Sequence, residues 1–400
     1  MTAFRAGAPR SAPDVAVIGA GIIGTAAAAF LAEAGASVRL YEASEIAAGA
    51  SGRNSGIVQH PFDPVLAGLY RASLDEYQAL KAGDPGFALP DRPAGLLYVG
   101  RRPELAREAA RAWAAAWPAT RPEVLDRDEL HRLEPALAPD LVACRLSIGF
   151  PVAPAAATHA FAAVGRGRGV DVIIGDARPE IVDGRAVGVR IHDRVEAVGA
   201  VLIAAGPWTP SLVDPHGTWR PIRRIWGVVA SLALAGAPSH GLEAADIEIE
   251  PEASAGAPDA VDPGEPSDAD VAFSLIPAAG SSSLGSTFLP VEPDPAAWLA
   301  ALRRVGARYV PAVADAPLIG LRHCARPVSA DGRPLIGAVG GIAGLFVAAG
   351  HGPWGISTGP GSARLVADLI LGRLAPEGVP GSLDPDRFGP VQRQESASNR

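Results

Sequence analysis

Gly19-Ala-Gly21-Ile-Ile-Gly24 follows the apolar run Asp14-Val-Ala-Val-Ile18 and opens a run of small and apolar residues from Ile22 to Gly35. Between a strand and a helix, each glycine has a purpose. The first permits a tight turn, the second lets a pyrophosphate reach the backbone, and the third lets helix and strand pack closely. The helix N-terminus then offers unpaired N–H groups to the phosphates. Ser37 to Tyr41 reads as the next strand and ends at Glu42, 18 residues beyond Gly24. A carboxylate there accepts both ribose hydroxyls of an adenosine and disfavours a 2′-phosphate. The pattern reads as a dinucleotide site, and on spacing alone FAD and NAD remain equal. Gly350-His-Gly352-Pro-Trp-Gly355 fits the same glycine pattern after the strand Leu345 to Ala349. No acidic residue ends a strand about 20 residues later, as a second dinucleotide would need; a helix N-terminus aimed at an electron-rich ring suits it better. Gly355-Ile-Ser357-Thr-Gly359 matches a hydrolase nucleophile elbow, but no histidine follows His351 to complete a triad, so a hydrolase is excluded.

These motifs need elements to hold them. The opening strand, helix and second strand form a βαβ unit. Helices are expected over 65–82, 103–117, 154–168 and 359–373, and strands over 95–99, 170–174 and 201–205. From Trp219 to about Ile276 the pattern changes to short alternating strands. Periodicity therefore describes an α/β domain at both ends of the chain with a β-rich domain inserted. Within the insert, residues 243–270 hold ten acidic side chains and no basic one, which reads as a solvated surface loop.

The chain has 400 residues, 48% hydrophobic and 20% charged, enough for a sizeable core in two domains. A net charge of −8 without basic runs argues against a nucleic-acid partner. Lys81 is the sole lysine, so the P-loop pattern is absent. Two cysteines, Cys144 and Cys324, make no disulfide framework and point to a reducing compartment. The eight histidines show no zinc-ligand spacing, and no metal site is expected. The uncharged stretch Ala16 to Ala32 approaches a membrane-span length, but Gly19, Gly21 and Gly24 split it into strand and helix. A soluble, cytoplasmic protein is expected.

Four blocks in order resemble the FAD-dependent D-amino-acid oxidase family, which includes glycine oxidase, sarcosine oxidase and D-amino-acid dehydrogenases. They are Asp14 to Glu42; Ala48-Gly-Ala-Ser-Gly-Arg-Asn-Ser-Gly56; Val170 to Ile174 with Ala204-Ala-Gly206-Pro-Trp208; and Arg326-Pro327 through Asp331-Gly-Arg-Pro-Leu-Ile-Gly337 to Gly350-His351 and Gly355-Ile356. The resemblance implies a discontinuous Rossmann-type FAD-binding domain (14–85, 150–218 and 320–385) with an inserted antiparallel β-rich substrate domain (86–149 and 219–319). Residues 1–13 and 386–400 are expected to be disordered tails. It implies FAD against Gly19, Gly21, Ile22, Ile23, Gly24, Glu42, Ala43, Ala50, Ser51, Arg53, Asn54, Ser55, Gly56, Val172, Ala205, Gly206, Trp208, Gly350, His351, Gly352, Gly355 and Ile356.

The activity implied is oxidation of a C–N bond in a small amino acid or N-substituted glycine. Hydride passes to flavin N5, and O2 reoxidises the flavin to give H2O2. A dehydrogenase passing electrons to a quinone or other carrier is the rival, and a non-catalytic flavin-bound subunit is a third. A homo-oligomer is compatible with each. Arg326 occupies the family's carboxylate-binding position, a task suited to a planar guanidinium. His351 is either a catalytic base or a structural ring whose backbone meets the flavin. Trp354 either lines the substrate pocket or packs under the flavin helix, and Trp226 has the same two readings. Ser283 stands where sarcosine oxidases carry an oxygen-activating lysine. Cys324, seven residues before Asp331, matches the spacing of the cysteine that bonds covalently to the flavin in sarcosine oxidase; the Arg326-Pro327 pair instead resembles noncovalent relatives, and noncovalent FAD is expected.

Overall fold

Two large sheets divide the protein, and the candidate residues lie between them. The structure, a computed structural model, describes residues 13–84, 86–245, 265–278 and 280–391. The first sheet has six strands in the order Leu335–Ala338, Leu345–Ala349, Ala200–Ile203, Val15–Ile18, Val38–Glu42 and Asp171–Ile174. All neighbours are parallel except the edge strand Leu335–Ala338. Parallel strands are buried on both faces, which is why Val15–Ile18 is apolar at every position. Helix Ile22–Glu33 is made almost wholly of small and apolar residues because it is buried against the sheet and against helices Ala156–Gly167 and Gly355–Ile370. Helix Pro64–Gly83 starts at Asp63, whose carboxylate accepts from Val65 N and Leu66 N at 2.8 and 2.9 Å. It is tied to the last helix by Tyr77 Oη donating to Ile356 O at 2.6 Å.

The second sheet has eight strands, ordered Leu318–Ser329, Ile222–Leu232, Ser281–Thr287, Val271–Ala278, Gly241–Ala244, Leu96–Gly100, Val142–Leu146 and Glu123–Leu125. Its pairs are antiparallel apart from Gly241–Ala244 with Leu96–Gly100. Helix Pro295–Ala307 covers its outer face around Leu284, Leu302 and Val305. A third sheet of three strands, between Ala177 and Ala197, packs on one face of the first, against Ala16, Ile18, Val201 and Ile203. The protein is therefore α/β, with a parallel dinucleotide-type sheet and a separate, largely antiparallel one.

Three boundaries differ from the sequence expectation. Strand Leu318–Ser329, which carries Arg326, belongs to the eight-stranded sheet across its whole length, because it pairs with Ile222–Leu232 from Leu232↔Leu318 to Ile222↔Ser329. The change of sheet falls near 330 rather than 320. The chain also stays built past 385. Pro385–Phe388 is a 3-10 turn in which Arg387 grips Asp331 through two hydrogen bonds of 2.8 and 2.9 Å, and Phe388 packs on the core. Of the expected leader, only Pro13 lies within the described residues. Residues 246–264 of the acidic stretch also lie outside them, but its ends are structured rather than a solvated loop. Glu243 sits in strand Gly241–Ala244, and Asp268 pairs with Arg304 at 2.9 Å and with Arg308.

Candidate active site

One cavity of about 1330 Å3 runs from the Gly19 turn to the floor of the eight-stranded sheet. Small-molecule pockets typically measure roughly 300–1,000 Å3, so there is room for more than a small substrate. At one end the glycine turn behaves as its spacing implies. Gly19 has φ of +106°, and a Cβ there would lie 2.5 Å from Ala204 O. A Cβ on Gly24 would lie 1.8 Å from Gly19 O, so this glycine lets the helix sit on the turn. Glu42 Oε2 accepts from Ala20 N at 2.8 Å, and Oε1 from Ser44 N at 3.1 Å, which fixes the carboxylate at the end of its strand. Ser51 Oγ accepts from Ile22 N at 2.9 Å, placing the second motif across the helix N-terminus. Asn54 staples that loop: its Nδ2 donates to Ser51 O at 2.7 Å and its Oδ1 accepts from Gly56 N at 2.8 Å.

The cavity brings together Gly19, Gly21, Ile22, Ile23, Glu42, Ala43, Ala50, Ser51, Arg53, Asn54, Ser55, Ala205, Gly206 and Trp208 with Arg326, His351, Gly352, Trp354, Gly355 and Ile356 from the far end of the sequence. Four expected contacts are placed elsewhere. Gly24, Gly56 and Gly350 support the turns from behind, the last two at φ of +86° and +89°. Val172 lies in mid-strand and packs on the helix-side core. Ligands of such sheets bind beyond the carboxyl ends of the strands, and the residues that follow this strand, Gly175 to Arg178, line the cavity in its place.

At the second end, the helix Gly355–Ile370 opens with its N-terminus at the cavity. His351, just before it, is buried. Its Nε2 lies 2.9 Å from Ser362 Oγ, which itself donates to Thr358 O at 2.8 Å. Nε2–H is therefore the donor, and Nδ1, which carries the lone pair, has no partner. Burial pushes the imidazole down to about pKa 3, so the ring is neutral near pH 7 and a poor base. Trp354 does both things expected of it, lining the cavity and packing on the core below. Trp226 lines the cavity and stacks on His323, centroids 5.7 Å apart.

Arg326 is the cation of this region. It crosses over Gly227, donates to Thr287 O at 2.8 Å and to Ser286 Oγ, and lies over the Phe288 ring at 4.4 Å. No carboxylate among the described residues pairs with it, and burial lowers its pKa. Asp331 and Arg333, the centre of the fourth block, do structural work. Arg333 grips Asp63 at 2.8 and 3.1 Å and so joins the block to helix Pro64–Gly83.

Two residues escaped the sequence reading. Arg322, on the same face of its strand as Arg326, donates to Ser283 Oγ at 3.0 Å and to Asn54 O at 3.3 Å, so a guanidinium reaches Ser283. Its signal was its place four residues before Arg326 on a strand. Glu243 lines the cavity but was hidden by the acidic run around it.

A dinucleotide fits this cavity on its own evidence: a glycine cradle that a Cβ would fill, a strand-end carboxylate, and helix N-termini at both ends. A sequence profile of the FAD dependent oxidoreductase family matches residues 14–369. The chain belongs to that family. The chain is similar to a glycine oxidase from Pseudomonas aeruginosa, 28% identical over 95% of this chain and 99% of that one. An oxidoreductase of Schizosaccharomyces pombe is 37% identical over 75 residues, 18% of this chain and 19% of its own length. Among solved structures, a glycine oxidase from Bacillus cereus superposes with a TM-score of 0.74 at 21% identity, covering 96% of this chain and 99% of that one. The family makes FAD the dinucleotide and the protein an oxidoreductase. No helix among the described residues is long and apolar enough to cross a membrane.

Proposed function

We propose that the protein oxidises the C–N bond of a small amino acid or N-substituted glycine. The observation that carries this reading is Arg326: a guanidinium with no carboxylate partner among the described residues, facing the same cavity as the dinucleotide cradle. A free carboxylate of a substrate completes that pair, and a planar guanidinium binds it in a fixed orientation. FAD, when bound, accepts the hydride from the substrate carbon and delivers the electrons to O2, giving hydrogen peroxide. The chain's own part is positioning. Arg326 fixes one end of the substrate, while Trp226, Phe288 and Trp354 line the cavity and displace water from it. Burial holds His351 neutral, so this reading gives it no role as a base and takes the substrate amine as bound neutral. The two cysteines are both free, in keeping with a cytoplasmic, reducing location.

The test is direct. Purified protein should be yellow, and anaerobic glycine, N-methylglycine or D-alanine should bleach the flavin. In air the same substrates should yield peroxide. A yellow protein that no carboxylated amine bleaches would refute the reading. Bleaching with dye reduction but without peroxide would place electron transfer to a carrier in place of O2.

A further inference from the structure

Glu243 stands on the cavity face of the eight-stranded sheet, paired in register with Ser274 on one side and Tyr98 on the other. Ser274 in turn pairs with Gly285, and the next residue of that strand, Ser286, holds the head of Arg326. The head of Arg326 lies over Gly227 and against Ser286, on the adjacent strands Ile222–Leu232 and Ser281–Thr287, so two to three strand spacings, about 10–14 Å, separate it from the strand of Glu243. The carboxyl of Glu243 receives side-chain hydrogen bonds from Gln59 and Tyr98, and no arginine, lysine or histidine of the described residues acts on it. The segment that follows, 246–264, contains no basic residue. An acid removed from water without a cation is costly, and a ligand that brings the cation relieves the cost. Burial accordingly raises the pKa of Glu243.

Among the described residues, the cavity thus has a cation without a carboxylate partner at one place on the sheet and an acid without a cationic partner two to three strand spacings from its head group. We propose that Glu243 reads the substrate side chain, selecting amino acids that end in an ammonium or guanidinium group while Arg326 holds the carboxylate. This rests on the amino-acid reading above and adds the side-chain class to it. A basic side chain of three to four methylenes, with an ion-pair contact at each end, spans about that distance, at roughly 1.1–1.2 Å of reach per bond.

The holoenzyme should be assayed by kcat/KM on D-arginine, D-lysine and D-ornithine against D-norleucine, D-alanine and D-glutamate. Basic substrates should exceed norleucine at least tenfold. In Glu243→Gln that ratio should fall towards one, and Glu243→Asp, which keeps the charge, should restore part of it. Preference for norleucine or glutamate in the wild type, or an unchanged ratio in Glu243→Gln, overturns the proposal. A second measurement needs no turnover: flavin difference spectra on titration with ω-guanidino carboxylates of two to six carbons and with plain carboxylates of equal length. Tighter binding of the guanidino series, lost in Glu243→Gln, supports the assignment even if no amine bleaches the flavin; equal binding of the two series overturns it. Failure of bleaching by every amine, with guanidino selectivity intact, would instead locate the fault in the amine-oxidation reading.

Discussion

Replacing Arg326 by methionine should separate binding from folding. The guanidinium makes two hydrogen bonds, to Thr287 O and Ser286 Oγ, and faces no carboxylate among the described residues. Losing hydrogen bonds from a charged donor costs about 1.5–3 kcal/mol each. Against that stands the desolvation of an unpaired buried cation, several kcal/mol, which methionine does not incur. The two nearly offset, so stability should stay within about 2 kcal/mol of wild type, and FAD content should be unchanged. Substrate recognition has no such compensation. Removing one partner of a desolvated charge pair costs about 2–4 kcal/mol, or roughly 30- to 900-fold in kcat/KM. The assay is anaerobic rapid-mixing reduction of the flavin by alanine, which separates the dissociation constant from the reduction rate, with ethylamine as the matching amine without a carboxylate. Alanine should lose affinity in Arg326→Met, and ethylamine should be equally poor with both proteins. If alanine and ethylamine fell together, Arg326 would act through the flavin or the fold. If neither fell, it would not be the anchor.

Three further outcomes follow from neighbouring geometry. Gly227→Ala puts a Cβ 2.3 Å from both Arg326 Nη atoms, and since the mobile head of a side chain yields rather than backbone, the protein should fold and hold FAD while KM for carboxylated substrates rises about tenfold or more. Its measurement is a steady-state KM at matched flavin content. His351 has its folded pKa depressed to about 3, below the unfolded value near 6.5, so the unfolded chain binds an extra proton between those limits. Stability is then complete above about pH 6.5 and declines by at most about 1.4 kcal/mol per unit as pH falls towards 3, a slope that His351→Gln should reduce by that one proton in denaturant titrations across the window. Burial raises the Cys324 thiol despite the nearby Arg326, Arg53 and Arg322, which leaves little thiolate to attack a flavin; acid precipitation should therefore release all yellow colour into the supernatant, and colour retained in the pellet but lost in Cys324→Ser would reverse the assignment.

How far the sequence carried depended on the distance over which each feature is decided. The Gly19–Gly24 turn is legible in six residues: Gly24 answers a contact with Gly19 O inside the motif, and although Gly19 faces Ala204 O and Gly21 faces Ser51 across the fold, type and spacing suffice to place the turn. Glu42 needs only the next strand. Val172 shows a different limit: membership of a cavity is set by where a strand ends in the sheet, and here the chain reaches the cavity at Gly175 to Arg178, directly after Asp171–Ile174. Glu243 failed for the opposite reason. Composition over a long window averaged it with acidic neighbours, while its fate is fixed by pairing with Tyr98, 145 positions earlier, and Ser274, 31 later. Arg326 was legible through its family motif, but its partners Ser286 and Thr287 come from a strand two places away in the sheet, and its freedom from any carboxylate is a property of three dimensions. The Asp331–Arg333 block shows that a strong motif need not be chemical. Its ionic grips on Arg387 and Asp63 fasten the ends of the chain around the cavity, and these are long-range pairs that no local pattern encodes. The cradle is thus a local device and the substrate pocket a tertiary one, so sequence reasoning placed the dinucleotide end more fully than the end that chooses the substrate.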